Sequence, residues 1–279
     1  MRFFSLAAFI LCVFPSAAQD AGSLRDLLDA VRQDLGIAAT SQPEFEMPVP
    51  ITTAADIRFK TSQFTFVRIR YSHRDQTNNV TYWAVDYPGA DAAFSEQVQH
   101  LTGLATDTKG RILELTDPTL GQYPFIYIVE GGHLQLNHDE VSALRSYLQG
   151  GGFLMMDDSW GEEEWAHLSA QFLGVFPGLE IVELPIDHEV FRSYFHFEKK
   201  PQVPGVRDVM LNDANGEPFR ESHYRGLIGD DGRLMVIFCH NADLGDGWEH
   251  ASSDGYPWAF SFGRAIPMGI NIVVYALSH

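Results

Sequence analysis

Residues 150–165 read GGGFLMMDDSWGEEEW. A glycine stop, an apolar run at 153–156, the carboxylate pair Asp157-Asp158 and a new helix near Gly161 follow one another without a gap, which reads as strand, charged loop, helix. In a parallel sheet the loop after a strand is where ligands sit, so two adjacent aspartates beside Trp160 are the best site signal in the chain.

Upstream of this stretch, Asn137 with Glu140 three residues on is a capping box for a helix whose inner face is Val141, Leu144, Tyr147 and Leu148. Residues 124–129 form a continuous apolar run of the buried-strand kind, stopped by Glu130-Gly131-Gly132. A short strand is expected at 112–115. Another at 64–71 is interrupted by Arg68 and Arg70, which suits a strand covered only in part. Asp91 is expected to cap a helix bearing Phe94, Val98, Leu101 and Leu104, with Asp86 just before it and outside any regular pattern.

Downstream, Trp165, Leu168, Phe172 and Leu173 point inward from the helix, and 181–184 is a further strand that leads to Asp187-His188-Glu189. Residues 191–219 show no sustained period and are expected to be irregular, with a hairpin at Asn215-Gly216. Residues 234–239 read as the last strand. It opens into a loop carrying His240, Asn241, Asp243, Asp246, Trp248 and Glu249, and 259–277 is an apolar helix kinked or started at Pro267. Strands alternating with helices predict βαβ units, a mostly parallel sheet and helices on both faces.

The N-terminus orders Arg2, an apolar run at 3–14 and a small-residue stretch ending at Ala18, as a secretory signal does. The expected organisation is a signal peptide at 1–18, a helix and proline-rich linker at 19–60 and an α/β domain at 61–279. Cleavage removes Cys12 and leaves Cys239 alone, so the mature chain has no internal disulfide, which suits a periplasmic or secreted protein. The run at 3–14 is too short to span a bilayer as a permanent helix, and no other stretch is expected to approach the necessary ~20 apolar residues. Nineteen Lys+Arg against 37 Asp+Glu give a net charge of −18, which repels nucleic acid and anionic lipid and offers carboxylates to cations.

On residues 83–94, 115–132, 144–165 and 240–250, the chain resembles a bacterial family known as domain of unknown function 4159, over roughly residues 62–279. The resemblance implies a class I glutamine amidotransferase-like fold, a flavodoxin-like three-layer sandwich, and no assigned activity. Amidotransferases of that fold carry a cysteine on a strand-to-helix elbow. The matching elbow here is Met156-Asp157-Asp158-Ser159-Trp160-Gly161, with no cysteine, and Cys239 ends a different strand.

A parallel sheet would gather a candidate cleft from Asp86, Glu130, Asp157, Asp158, Trp160, His188, His240, Asp243, Asp246, Trp248 and Glu249. Two functions fit it. The first is a non-catalytic binding module of the cell envelope, using Trp83, Tyr87, Trp160 and Trp248 as stacking surfaces for a glycan or an envelope protein. The alternative is a carboxylate-based hydrolase, with a divalent cation or general acid and base groups acting on a glycan or other neutral substrate. Asp157 and Asp158 also fit as helix caps, although one cap needs one aspartate.

Overall fold

The computed structural model describes residues 48–52 and 63–279, apart from 76, 78, 216–218, 252–255 and 257. The expected signal peptide, the helix after it, most of the linker and Gly216 of the expected hairpin lie outside the described residues. Among those residues seven strands form one sheet: β1 Phe64–Ile69, β2 Thr106–Leu113, β3 Phe125–Ile128, β4 Phe153–Ser159, β5 Ile181–Glu183, β6 His223–Ile228 and β7 Leu234–His240. Their order is β2-β1-β3-β4-β7-β6-β5. The first five are parallel, and β6 and β5 continue the sheet antiparallel. The helices are α1 Gly89–Thr102, α2 His138–Gln149, α3 Gly161–Val175, α4 Val206–Asn215, α5 Leu244–Glu249 and α6 Trp258–Ser278.

Strand alternation divides the core into two chemically different halves. Phe64, Phe66, Phe125, Tyr127 and Phe153 build an aromatic face that meets Phe94 of α1, Trp248 of α5 and the inner side of α6. Val67, Ile69, Ile126, Ile128, Leu154 and Met156 build an aliphatic face under Leu144 and Leu148 of α2 and Leu168 and Phe172 of α3. Both faces are therefore dry, which is why β3 reads as an unbroken apolar run. α6 is long and apolar enough to cross a membrane, contrary to the expectation that no stretch reaches that length. Its apolar window is 83% buried in the molecule, however, as befits a core helix.

Several elements differ from expectation. Arg68 follows Phe64 and Phe66 on the aromatic face and is fully buried, so β1 is covered completely; only Arg70, beyond its end, is exposed. Asp91 does not cap α1. Pro88 holds that position, and Asp91 lies buried in the first turn against Arg68. β2 is longer than expected and stops at Leu113. β4 runs through both aspartates to Ser159, so the charged loop is strand. Leu173 of α3 is exposed. Residues 206–215, expected to be irregular, form α4, which places Asn215 in a helix, and 223–228 form β6. Pro267 starts the regular α-helical part of α6, after a π-helical stretch at Ser261–Ala265.

Candidate functional site

The C-terminal ends of β1, β3, β4 and β7 point to one edge of the sheet, where the chain order reverses between β1 and β3. A cleft of about 560 Å³ opens there. Asp86, Glu130, Asp158 and Asp243 bring carboxylates to it from four different connections, and Asp246 adds another from α5.

Asp86 owes its place to Arg68. The buried guanidinium donates to both oxygens of Asp91 and, through Nη1, to the carbonyls of Trp83 (3.1 Å) and Val85 (2.9 Å). It thereby fixes the loop after β1 up to the residue before Asp86. Asp86 has a φ of 60°, Glu130 53°, Asp158 55° and Asn241 55°. Among the described residues these are the non-glycine positions in the left-handed region, and each sits at the sheet edge that forms the cleft. Such strain persists only where the surroundings enforce it.

β4 and β7 enforce it for Asp158. Their ladder slips between Met156 and Ser159, and the strands re-engage through Asp158 N–H to the Ala242 carbonyl (3.2 Å) and Asn241 N–H to the Ser159 carbonyl (2.8 Å). Between these points Asp157 turns inward and Asp158 toward the cleft. Asn241 completes the elbow: its Oδ1 accepts from the Gly161 amide at 2.9 Å and its Nδ2 donates to the Glu221 carbonyl.

Asp157 is fully buried. Its Oδ2 accepts from the Leu244 and Gly245 amides, both at 3.0 Å, and from the Tyr127 hydroxyl at 3.1 Å, so it anchors the start of α5. Neither aspartate caps α3. Trp160 holds that position, with Glu164 accepting from its amide, while the Trp160 indole donates to Asp158 Oδ1 at 2.5 Å. Asp243 caps α5 by accepting from the Asp246 amide at 2.7 Å, and Asp246 Oδ2 accepts from the Val206 amide at 2.6 Å.

These carboxylates crowd one another out of water. Burial, then Asp246 and Glu249, push Asp86 up to about 7 against the pull of Arg68. Burial, then Glu164, Asp86 and Asp246, push Glu130 to about 7. Burial raises Asp157 to about 7 despite the donors it faces, the Leu244 and Gly245 amides first. Asp158 and Asp243 are held well above the carboxylate range, by burial first and neighbouring acids second.

One oxygen each from Asp86, Asp243 and Asp246 lie within 4.8 Å of one another. Asp86 Oδ2 is buried with no hydrogen-bond partner among the described residues. Gly245 makes room for it, because a Cβ there would fall 2.9 Å from that oxygen. Two further groups meet the same spacing: Glu130, His133 and Glu164, in which His133 stacks on Tyr82 at 3.8 Å, and Asp246, Glu249 and His250.

The family model described as domain of unknown function (DUF4159) matches residues 65–277. The chain belongs to the DUF4159 family. No curated protein matches it.

In this DUF4159 domain the expected cleft residues separate into those that face the cleft and those that do not. Asp86, Glu130, Asp158, Trp160, Asp243 and Asp246 line it together. Asp157 lies beneath it, and Glu249 packs against Gly89 beside it. Trp248 is not a stacking surface: it is core, 1% exposed, stacked on Phe94 at 4.1 Å with its indole N–H on the Ala265 carbonyl. His188 is not at the cleft. Its Nδ1 accepts from the Val190 amide in the Glu189–Phe191 turn, near Tyr275.

His240 serves structure next to the cleft. Arginine only donates, so the 2.7 Å contact with Arg225 makes His240 Nδ1 the acceptor and leaves Nε2–H to donate to the Gly161 carbonyl at 3.0 Å. The ring is thus neutral, in keeping with burial lowering its pKa, and it stacks on Trp165 at 5.3 Å. Gly205, Arg207 and Arg220 are not among the residues expected at the cleft, and Arg68 figures in the sequence only as a charge interrupting β1. The one available signal was Arg68, a charge within the otherwise apolar FTFVRI.

Proposed function

We propose that this DUF4159 protein binds a hard divalent cation in the acidic cleft, as an exported, non-catalytic or weakly catalytic binding module of the cell envelope. The observation that carries the reading is the convergence of Asp86, Asp243 and Asp246, whose oxygens lie within 4.8 Å of one another. Ligands of one Ca²⁺ at 2.3–2.6 Å are at most about 5 Å apart, and three protein oxygens leave coordination positions for water or a ligand. A divalent charge also offsets the burial and the neighbouring acids that raise Asp86 and Asp243, since coordination requires the deprotonated form.

The fold we assign is flavodoxin-like, of the class I glutamine amidotransferase type. The parallel order β2-β1-β3-β4-β7 supports it, being the 2-1-3-4-5 order of that class when strands are counted along the parallel part. The amidotransferase nucleophile has no counterpart at the elbow. Cys239 is buried inside β7, where burial pushes its thiol well up, and Ser159 is only 2% exposed. A cysteine or serine nucleophile is therefore not accessible at this elbow. The N-terminal charge, apolar run and small-residue order support export to the periplasm or beyond.

One observation favours the hydrolase alternative. Glu130 lines the cleft with its carboxyl pushed to about 7, where a group serves as general acid or base at neutral pH. A thermal melt of the mature chain with Ca²⁺, Mg²⁺, Mn²⁺ or Zn²⁺ tests the cation reading. A rise in melting temperature that saturates with concentration is expected for at least one of them, and no shift with any of the four would sink it.

A further inference from the structure

The cleft has two signs of charge. Its floor is acidic, but the wall at residues 205–208 is the start of α4, and Arg207 and Arg220 line the opening. Both arginines are exposed, and neither has an ion pair among the described residues, although Asp208 lines the same wall. The Val206 amide is tied to Asp246 Oδ2 at 2.6 Å, which fixes the amino end of α4 against the cation triad. Gly205 brings that wall close: a Cβ on it would lie 3.2 Å from Asp243 Oδ2 and 3.3 Å from Asp246 Oδ2. The Arg220 guanidinium sits over Gly161, 3.0 Å from where a Cβ would be, at the start of α3.

A second observation points to a bound group. Asp158 and Asp243 are each 5% exposed and line the cleft; in both, Oδ1 accepts a hydrogen bond and Oδ2 has no donor among the described residues. These two oxygens open onto the cleft, and Asp86 Oδ2 beside them is a buried acceptor with no hydrogen-bond partner among the described residues, which calls for one. The cation of the proposed reading supplies one from inside the cleft, while the arginines face what lies further out.

We infer that the cation in this cleft carries a phosphate-monoester ligand whose outer oxygens lie against Arg207, Arg220 and the first amides of α4. This rests on the cation reading above. A group that gives a metal ion and two separate guanidinium forks one oxygen each has at least three acceptor oxygens; a phosphate monoester has three free ones and a carboxylate two. With the Val206 amide held by Asp246 and the Val209 amide by the Gly205 carbonyl, the amides of Arg207 and Asp208 in the first turn of α4 are left to favour the same charge. With a net charge of −18 and several carboxylates in the floor, the metal-free cleft repels an anion, so the cation binds first and the phosphate second. The cleft volume of about 560 Å³ admits a small organic phosphate whole.

The test uses the mature chain, Mn²⁺ as the cation, and phenyl phosphate as the probe, followed by ³¹P line broadening and by calorimetry. Broadening of the phosphorus signal by protein-bound Mn²⁺ is expected, with affinity about tenfold or more weaker when Mn²⁺ is left out. Arg207→Gln with Arg220→Gln should weaken phenyl phosphate about tenfold or more and leave Mn²⁺ affinity unchanged; both side chains are exposed, so a melt should show the fold intact. Mn²⁺ binding with no phosphate effect, or equal phosphate affinity in the double variant, overturns the inference and spares the cation reading. Acetate binding as tightly as phenyl phosphate overturns the phosphate assignment. Absence of Mn²⁺ binding overturns the inference, and absence of binding by all four cations overturns both.

Discussion

Arg68 and Asp91 meet as a buried ion pair, Nη2 to Oδ1 at 2.5 Å, between the middle of a parallel strand and the first turn of the helix after it. Desolvating two charges gains little by itself, but removing one partner leaves the other stranded. Arg68→Met is therefore expected to destabilise the protein by about 3–5 kcal/mol in chemical denaturation. It also frees the carbonyls of Trp83 and Val85, so cation affinity should fall with it. The double change Arg68→Met with Asp91→Leu should recover much of the stability and none of the affinity. Equal recovery of both would show that the pair does not position Asp86.

The raised carboxyls make stability depend on pH in a defined direction. Asp86, Glu130 and Asp157 titrate near 7 when folded and near ~4 when unfolded, so the folded chain holds more protons between those values. Their contribution is fully present below ~4 and is lost as pH rises through about 7. Without divalent cation the melting temperature should fall from pH 5 to pH 8. Saturating cation should flatten or reverse that slope, with protons released on binding, readable by calorimetry in buffers of different ionisation enthalpy. A slope unaffected by cation would refute the linkage.

Asp243→Asn retains the acceptor that caps α5 and removes the charge. With fewer repelling acids, the metal-free protein is expected to melt at the same temperature or higher. The stabilisation by cation should drop by at least ~1.4 kcal/mol, a tenfold loss of affinity. Loss of metal-free stability with cation affinity intact would assign Asp243 to capping alone.

Trp248→Ala should cost about 3–5 kcal/mol as a core deletion, since its ring fills the space between Phe66, Phe94 and Tyr127. Trp160→Phe, at the cleft, should leave stability within about 1 kcal/mol while changing ligand affinity. Denaturation curves for the two variants check the separation.

Where one local rule governed an element, the chain could be read in advance. Asn137 and Glu140 form the capping box their spacing predicts, and β3 is the buried run its composition predicts. β6 was hidden because His223 and Arg225 break its apolar pattern, and α4 because Pro204-Gly205 and a mixed sequence precede and fill it. The strand-end acids were legible one by one. So was their gathering at one edge of a parallel sheet, but which of them face the cleft was not, since that depends on the slip between β4 and β7 and on a guanidinium buried 23 residues from its partner. Trp248 misled for the opposite reason. Its neighbours Asp246 and Glu249 look like a loop, while a six-residue helix turns the indole into the core.

Asp86, Glu130, Asp158 and Asn241 share a left-handed backbone, a shape that glycine adopts freely and that a side chain makes costlier, glutamate more than aspartate or asparagine. At these positions the architecture and the chemistry ask for different residues. A glycine scan over the four would split the two demands: each exchange relaxes the main chain and deletes a functional group in one step. A library selected for folding alone should drift toward glycine there, and one selected for ligand capture should keep the acids, so the distance between the two outcomes measures how much foldability the cleft forgoes.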